Sequence, residues 1–357
     1  MRPKIFIPVL LSFLFLLIYC NHNPTQSELQ PQPGARNYVW QLDTLDMPVN
    51  YISSVWGASP DNVWAVGGGG TERDRLLHYD GKEWSTYKKE AIWCGGFTLF
   101  GFSADNVWMG GGAGWLAHGA GIWHYNGVEW KQNFVYDIEG SYYIEVMDIW
   151  GTAPNDIFAC GTIGYRDGQT DVWRGFVLHY DGKAWREVVQ AHFNSQFGAV
   201  RKEQNKIYVL SYGINYENGD GDVEFYEIKG NQLEKIYSNK QSQIGFAGLN
   251  AVDGKGYFVI SQDVYRYLDG KMMKQFSVPY PKFEWSIAGR NELDLFFPMR
   301  DGIVHYNGTD MEYLYKFPAA QMGTIGDPLI FEKDIFYSIL YMPGFPKNNL
   351  ILHGKLQ

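Results

Sequence analysis

Histidines and carboxylates are the side chains best suited to acid–base or metal chemistry near neutral pH, and the chain holds 8 of the former and 39 of the latter. His78, His124, His179 and His305 invite a metal or proton-transfer cluster, but each stands in the same phrase, His-Tyr-Asp/Asn-Gly. Equivalent slots of successive repeats lie in different structural units, so these four are read as hydrogen-bonded scaffold. His118 and His192 fall outside the repeated phrases and are read as solvated loop residues. Asp137, Glu139, His118 and Tyr142 come nearest to the paired acids of glycoside chemistry. Their spacing does not bring them within reach of one another, so no catalytic residue is assigned. Asn218-Gly219-Asp220-Gly221-Asp222-Val223-Glu224 alternates oxygen-bearing side chains as a calcium site does, with Asp220 and Asp222 as weak ligands. It lacks the glycine and terminal glutamate of an EF-hand loop and is read as an acidic, solvated loop. Cys94 and Cys160, without clustered histidines, are a poor zinc set and are read as two separately buried thiols. No cofactor and no metal is expected.

Aromatic side chains make up 17% of the chain, with 13 Trp and 25 Tyr, so the rings need the same sorting. Trp56, Trp64, Trp84, Trp108, Trp130, Trp150 and Trp185 recur in repeat slots and are read as packing. Others break the pattern. Trp93, Trp115, Tyr142, Tyr143, Tyr165, Trp173, Tyr216 and Phe283 fall between repeats, as do Tyr212 and Tyr280. Rings on loops above a rigid scaffold bind sugars and peptides by stacking an apolar face with polar groups alongside. The first eight are taken as the ligand-binding set, with Asp137, Glu139, Glu145, Asp167 and Asp171 as nearby acceptors.

What positions these residues is the repeat itself. Val55-Trp56-Gly57-Ala58-Ser59-Pro60-Asp61-Asn62-Val63-Trp64 leads to Leu77-His78-Tyr79-Asp80-Gly81-Lys82-Glu83-Trp84. The phrase returns at Asp105-Asn106-Val107-Trp108 with His124 to Trp130, and at Asn155-Asp156-Ile157-Phe158 with His179 to Trp185. A period of roughly 40–50 residues built of short strands marks a β-propeller, one blade per repeat. Further openers stand at Lys206-Ile207-Tyr208, Gly256-Tyr257-Phe258, Asp294-Leu295-Phe296 and Asp334-Ile335-Phe336, and further closing tyrosines at Tyr226, Tyr267 and Tyr306. No stretch shows an apolar stripe at helical spacing. The expected fold is all-β, a seven-bladed propeller, with six blades as the alternative.

The last unit ends before a fourth strand, and Tyr38-Val39-Trp40-Gln41-Leu42 supplies one at the other end of the chain. The N-terminal strand is therefore expected to complete the last blade and leave no open sheet edge at the seam. Ser59-Pro60-Asp61-Asn62 and Ala153-Pro154-Asn155-Asp156 are turns between first and second strands. Asp80-Gly81, Asn126-Gly127, Asp181-Gly182, Asp269-Gly270 and Asn307-Gly308 are hairpin signals between third and fourth strands. Because strands alternate in direction, both turn sets lie on one face of the disc, and the remaining loops lie on the other.

The Val-Trp-Gly-x-Ser-Pro-x-Asn-Val-Trp-Ala-Val-Gly phrase, with Leu-His-Tyr-Asp-Gly-Lys-x-Trp after it, resembles the repeats of secreted and outer-membrane bacterial propeller proteins. These are loosely grouped with kelch-like and sialidase-type repeat propellers. The resemblance covers residues 38–357 and is strongest in the first three repeats. It implies a fold and a surface location and no catalytic set; the sialidase-type Asp-box is absent.

Ahead of the repeats, Arg2 and Lys4 precede an apolar run from Ile5 to Tyr19, the length of a signal-peptide core and too short to span a bilayer. Its end, Leu17-Ile18-Tyr19-Cys20, resembles a bacterial lipobox, departing from it at Tyr19, where a small residue is usual. The resemblance implies lipidation at Cys20. Residues 1–20 are thus read as a lipoprotein-type signal peptide, 21–37 as a polar, Pro-rich tether and 38–357 as a single propeller domain.

Net charge is −9 and no basic run is present, which argues against nucleic acid and against electrostatic attachment to anionic lipid. The expected protein is exported and lipid-anchored to the bacterial outer membrane or cell surface, a monomer touching the membrane only through its anchor. It would serve as a binding or scaffold propeller for a glycan or an envelope protein. A glycoside hydrolase or lyase acting on polysaccharide, and a structural subunit of a surface complex, are the alternatives.

Overall fold

The second strand of each repeat shows why the chain cannot form independent sheets. Val63, Trp64, Ala65 and Val66 are all buried, so a strand with normal alternation covers both of its faces. Val63 and Ala65 pack with Phe336 and Ile351, while Trp64 and Val66 pack with Leu99, Met109 and Trp130. One strand thus lies between two neighbouring sheets, and repeating that arrangement closes a ring.

The computed structural model describes residues 33–45, 51–68, 76–87, 95–112, 119–168, 170–215, 219–318, 323–341 and 349–357. They form seven antiparallel sheets, so the protein is a seven-bladed propeller rather than a six-bladed one. Blade 1 runs from Tyr51–Ser59 to Trp84–Thr86, blade 2 from Gly95–Ser103 to Trp130–Tyr136, and blade 3 from Ser141–Ala153 to Trp185–Phe193. Blade 4 runs from Ser195–Glu203 to Gln232–Lys240, blade 5 from Ala247–Val252 to Lys271–Ser277, and blade 6 from Ala288–Asn291 to Met311–Lys316. Blade 7 contains Thr324–Ile325, Leu329–Ile330, Asp334–Tyr341 and Leu350–Leu356. Its outermost strand is Tyr38–Thr44, paired with Leu350–Leu356 from Tyr38↔Leu356 to Thr44↔Leu350. The N-terminal strand therefore closes the ring, and Trp40, opposite Gly354, takes the place that Trp84, Trp130 and Trp185 hold in their own blades.

Both short-turn sets lie on one face and touch. Gly81 and Gly127 have φ of +90° and +86°, where a side chain is strained. A Cβ on either would fall within 3 Å of the Cβ of Asp61 or Asp105 in the neighbouring turn. Asp80 Oδ1 accepts the backbone N–H groups of Lys82 and Glu83 at 2.9 Å and so holds the turn rigid.

The repeated histidines have one job in five blades. His78, His124, His179, His305 and His353 meet Asn62, Asn106, Asp156, Asp294 and Asp334 through Nε2 at 2.7–3.0 Å. Each partner opens the second strand of the same blade, and each imidazole lies against the aromatic two residues further on, at 4.0–4.5 Å between ring centres. Blade 4 departs from the repeat in a way its spelling hides. The position of Tyr180, opposite Ile157 and Trp185 in blade 3, is held in blade 4 by Ile228, opposite Ile207 and Leu233. Tyr226, which spelling marks as the closing tyrosine, lies two residues earlier in the strand.

Candidate functional site

Among the described residues blade 3 has the longest strands. Its second strand, Asp156–Asp167, has 12 residues against 8 in Lys206–Gly213 of blade 4, and its first strand, Ser141–Ala153, has 13 against 9 in Ser195–Glu203. Four extra residues in the second strand add about 13 Å of height at strand rise, on the long-loop face. This extension carries four of the expected ligand-binding rings. Trp173 lies at the centre, 6.1 Å from Tyr142 and 5.5 Å from Tyr143, both edge-on. Tyr165 meets Phe193 edge-on at 6.0 Å. Two guanidiniums back the rings: Arg166 lies 4.9 Å over Tyr142, and Arg174 lies 5.1 Å over Phe193. Arg174 is fixed by donating from Nε to the Ala191 carbonyl at 2.7 Å. The result is a crest with rings on both faces of a hydrogen-bonded ribbon, Tyr142, Tyr143 and Trp173 with Arg166 on one and Tyr165 and Phe193 with Arg174 on the other.

The remaining expected residues divide in two. Trp93, Trp115 and Tyr216, together with His118, Cys94 and Cys20, lie outside the described residues. Phe283 is placed in the interior, 4% exposed, packed edge-on against Phe297 at 5.8 Å beside Val278 and Met299. An apolar ring at that position gains more from the blade 5–6 core than from water, and it offers no face to a ligand. Phe193, which no repeat-breaking pattern singled out, stands instead on the crest, 58% exposed.

The acidic candidates also separate. Asp137 and Glu139 are exposed, whereas Glu145 is 8% exposed and accepts a hydrogen bond from the Tyr143 hydroxyl. Burial pushes the Glu145 carboxyl up to about 7, opposed by the bond from Tyr143. The Tyr143 phenol is raised as well, by burial first and by the charge of Glu145 second. Asp220 and Asp222 have different partners: Asp220 accepts from the Ser242 amide and hydroxyl at 2.8 and 2.6 Å, and Asp222 pairs with Lys240 at 3.1 Å. Those donors satisfy the carboxylates that a calcium ion would need. Among the described residues no group of three or more His, Cys, Asp or Glu side chains could hold a metal ion. Cys160 is a free, fully buried thiol whose pKa burial raises well above the usual range.

Two concavities accompany the crest. The central channel holds a cavity of about 290 Å³. Bulges at Ser53, Phe97, Met147 and Gly198 turn the inner strands of blades 1 to 4 toward it. Asp148 of blade 3 and Arg201 of blade 4 form an ion pair in its wall, with Asp148 also accepting the Val200 amide at 3.0 Å. The second concavity is larger, about 850 Å³, and lies between the outer parts of blades 3 and 4, with Phe193 at its upper end and Leu233 at its lower.

No protein-family model matches the chain, and no curated protein sequence is significantly similar to it. Solved structures share its fold. YCF48 bound to D1 peptide superposes with a TM-score of 0.58 at 12% identity, covering 92% of this chain and 99% of that one. A streptogramin B lyase gives 0.58 at 13% identity over 90% and 98%. The polysaccharide lyase Uly1 gives 0.52 at 10% identity over 93% and 94%. At these identities the likeness is one of fold alone.

Proposed function

We propose that the protein is an exported, lipid-anchored propeller that binds a glycan or an envelope protein through the crest of blade 3 and acts as a monomer. The observation that carries this reading is the crest itself: Tyr142, Tyr143, Trp173, Tyr165 and Phe193 gathered on one extended ribbon, with Arg166 over Tyr142 and Arg174 over Phe193. Rings held in place by neighbours lose little entropy on binding, which is what favours aromatic platforms in recognition sites. The lipobox-like segment before Cys20 and the polar stretch to residue 37 support attachment outside the cytoplasm. Two neighbours of this fold, one solved with a bound peptide and one a polysaccharide lyase, fit a scaffold that accepts such ligand classes.

The test is a glycan array and an envelope-extract pull-down with the purified protein, repeated with Trp173→Ala. Retention of glycan or of a defined envelope protein, lost in the variant, is expected. Capture of neither, or capture indifferent to Trp173→Ala, overturns the reading. Attachment is tested separately by fatty-acid labelling in cells: label is expected on the wild type and absent from Cys20→Ala.

A second reading, a hydrolase or lyase acting on polysaccharide, is favoured by one observation, the buried Tyr143–Glu145 pair beneath the crest, where a carboxyl with a pKa of about 7 can hold or give a proton. Release of reducing ends or unsaturated products, abolished by Glu145→Gln, would support it over binding alone.

A further inference from the structure

Between most neighbouring blades the outer wedge is filled by a ring. Trp84 of blade 1 packs with Phe336 of blade 7, Trp130 of blade 2 with Trp64 of blade 1, and Trp185 of blade 3 with Trp108 of blade 2. In each of blades 1 to 3 the paired position on the third strand adds a tyrosine: Tyr79, Tyr125 or Tyr180. Blades 5 and 6 keep the tyrosine and replace the tryptophan, as Tyr267 opposite Met272 and Tyr306 opposite Met311. Blade 4 keeps neither. Its pair is Ile228 and Leu233, and Leu233 packs at the base of the blade 3–4 interface beside Phe158. This is the interface that holds the 850 Å³ groove, a volume within the range of small-ligand sites.

The walls of the groove indicate what fits. Charges occur in opposed pairs, Asp222 with Lys240 and Glu224 with Lys235, and the Tyr226 hydroxyl donates to Glu224 at 2.6 Å. The site therefore offers acceptors and donors side by side with no net charge, which suits hydroxyl groups, each both donor and acceptor, and penalises an ionic ligand. Tyr226, on the same face of its strand as Glu224, supplies a ring in the groove wall. Phe193 marks only the rim: its ring meets Arg174 and Tyr165 on the face of blade 3 turned toward blade 2, and the chain turns at Asn194, whose φ is +66° and whose amide donates to the Trp173 carbonyl at 2.6 Å.

We infer that the blade 3–4 groove is a binding site for an uncharged oligosaccharide, which stacks a sugar face on Tyr226 and places its hydroxyls between the Asp222–Lys240 and Glu224–Lys235 pairs. The inference rests on the binding reading above and names the ligand class and the place.

Isothermal titration of the full mature chain with cellohexaose, xylohexaose, maltohexaose and chitohexaose, and with hexagalacturonate as a charged probe, tests it. Saturable binding of at least one neutral hexamer is expected, with no binding of hexagalacturonate. Tyr226→Ala should weaken binding at least about tenfold. Leu233→Trp, which restores the ring found in blades 1 to 3, should abolish it. Neutral hexamers that do not bind, or bind no better than the charged one, overturn the inference. So does binding that survives both substitutions. If that surviving binding is lost in Trp173→Ala, the crest reading stands and only the groove fails; if an envelope protein binds the groove and no sugar does, the ligand class fails.

Discussion

Arg36 donates from Nε to His305 Nδ1 at 3.2 Å, a contact between residues 269 apart in sequence. The same guanidinium reaches the His305 carbonyl at 3.1 Å and the Asp310 carbonyl at 2.7 Å, and pairs with the Asp310 and Glu312 carboxylates. Just before the closing strand, the chain is thus pinned to the short-turn face of blade 6. Asp310 and Glu312 are exposed, so their ion pairs contribute little; the carbonyl and imidazole bonds carry most of the effect. Arg36→Ala is expected to cost about 1–2 kcal/mol and lower the melting temperature by a few degrees at most. Differential scanning calorimetry measures it, and an unchanged melting temperature would mean the clasp is idle.

Deleting residues 1–44 removes the outermost strand of blade 7 and uncovers Leu350–Leu356 as a free edge. An open apolar edge pairs with other chains. The truncated protein is expected to be largely insoluble or to elute as high-order species on size-exclusion chromatography, whereas a chain starting at residue 33 should remain monomeric and folded.

Trp64 is 3% exposed and touches Trp130 edge-on at 5.4 Å, Tyr125 at 5.0 Å and His78 at 4.3 Å. Trp64→Ala leaves a cavity between blades 1 and 2 that the ring cannot shrink to fill. A loss of about 3–5 kcal/mol is expected from denaturant titration, larger than any single change on the crest.

Glu145 gives a pH signature. Its carboxyl ionises at about 7 in the fold, above the usual 4.5, so its contribution to stability is complete below 4.5 and is lost as pH rises through 7. Glu145→Gln keeps an acceptor for the Tyr143 hydroxyl and cannot ionise. The variant should match the wild type near pH 4 and exceed it at pH 8, by on the order of 1–3 kcal/mol. Melting curves across that range decide it; parallel curves would mean Glu145 is solvated.

His78 and His124 run the other way. Burial lowers both pKa values below 6.5, against partial opposition from Asp80 and Asp105. Neutral imidazoles donate to Asn62 and Asn106, and this support is present above about 6.5 and lost as pH falls through the lowered folded values. Replacing both by Gln should destabilise the protein at pH 7.5 more than at pH 5, a difference that melting curves of the two proteins at each pH will read.

Much of this architecture is written locally. Asn62-Val63-Trp64 and its echoes identify the second strands, Asp80-Gly81 and Asn126-Gly127 the turns, and Tyr38 to Leu42 the closing strand, because each depends on residues a few positions apart. The repeated histidines are legible as scaffold for the same reason, since an equivalent slot has an equivalent neighbour. Phe283 and Phe193 show where that logic stops. Phe283 lies in the connection between Lys271–Ser277 and Ala288–Asn291 and Phe193 ends a strand, and only the packing of blade 5 on blade 6 buries one while the corner at Asn194 exposes the other. The groove is of the same kind. Ile228 and Leu233 spell an ordinary apolar pair, and Tyr226 imitates the missing marker two residues early. Sequence by itself determined that this chain is a ring of blades closed by its own first strand, because local patterns specify strands and turns and repetition specifies their assembly. Which rings gather on blade 3, and which wedge between blades stays open, was decided by tertiary structure, since both depend on register between strands far apart in the chain.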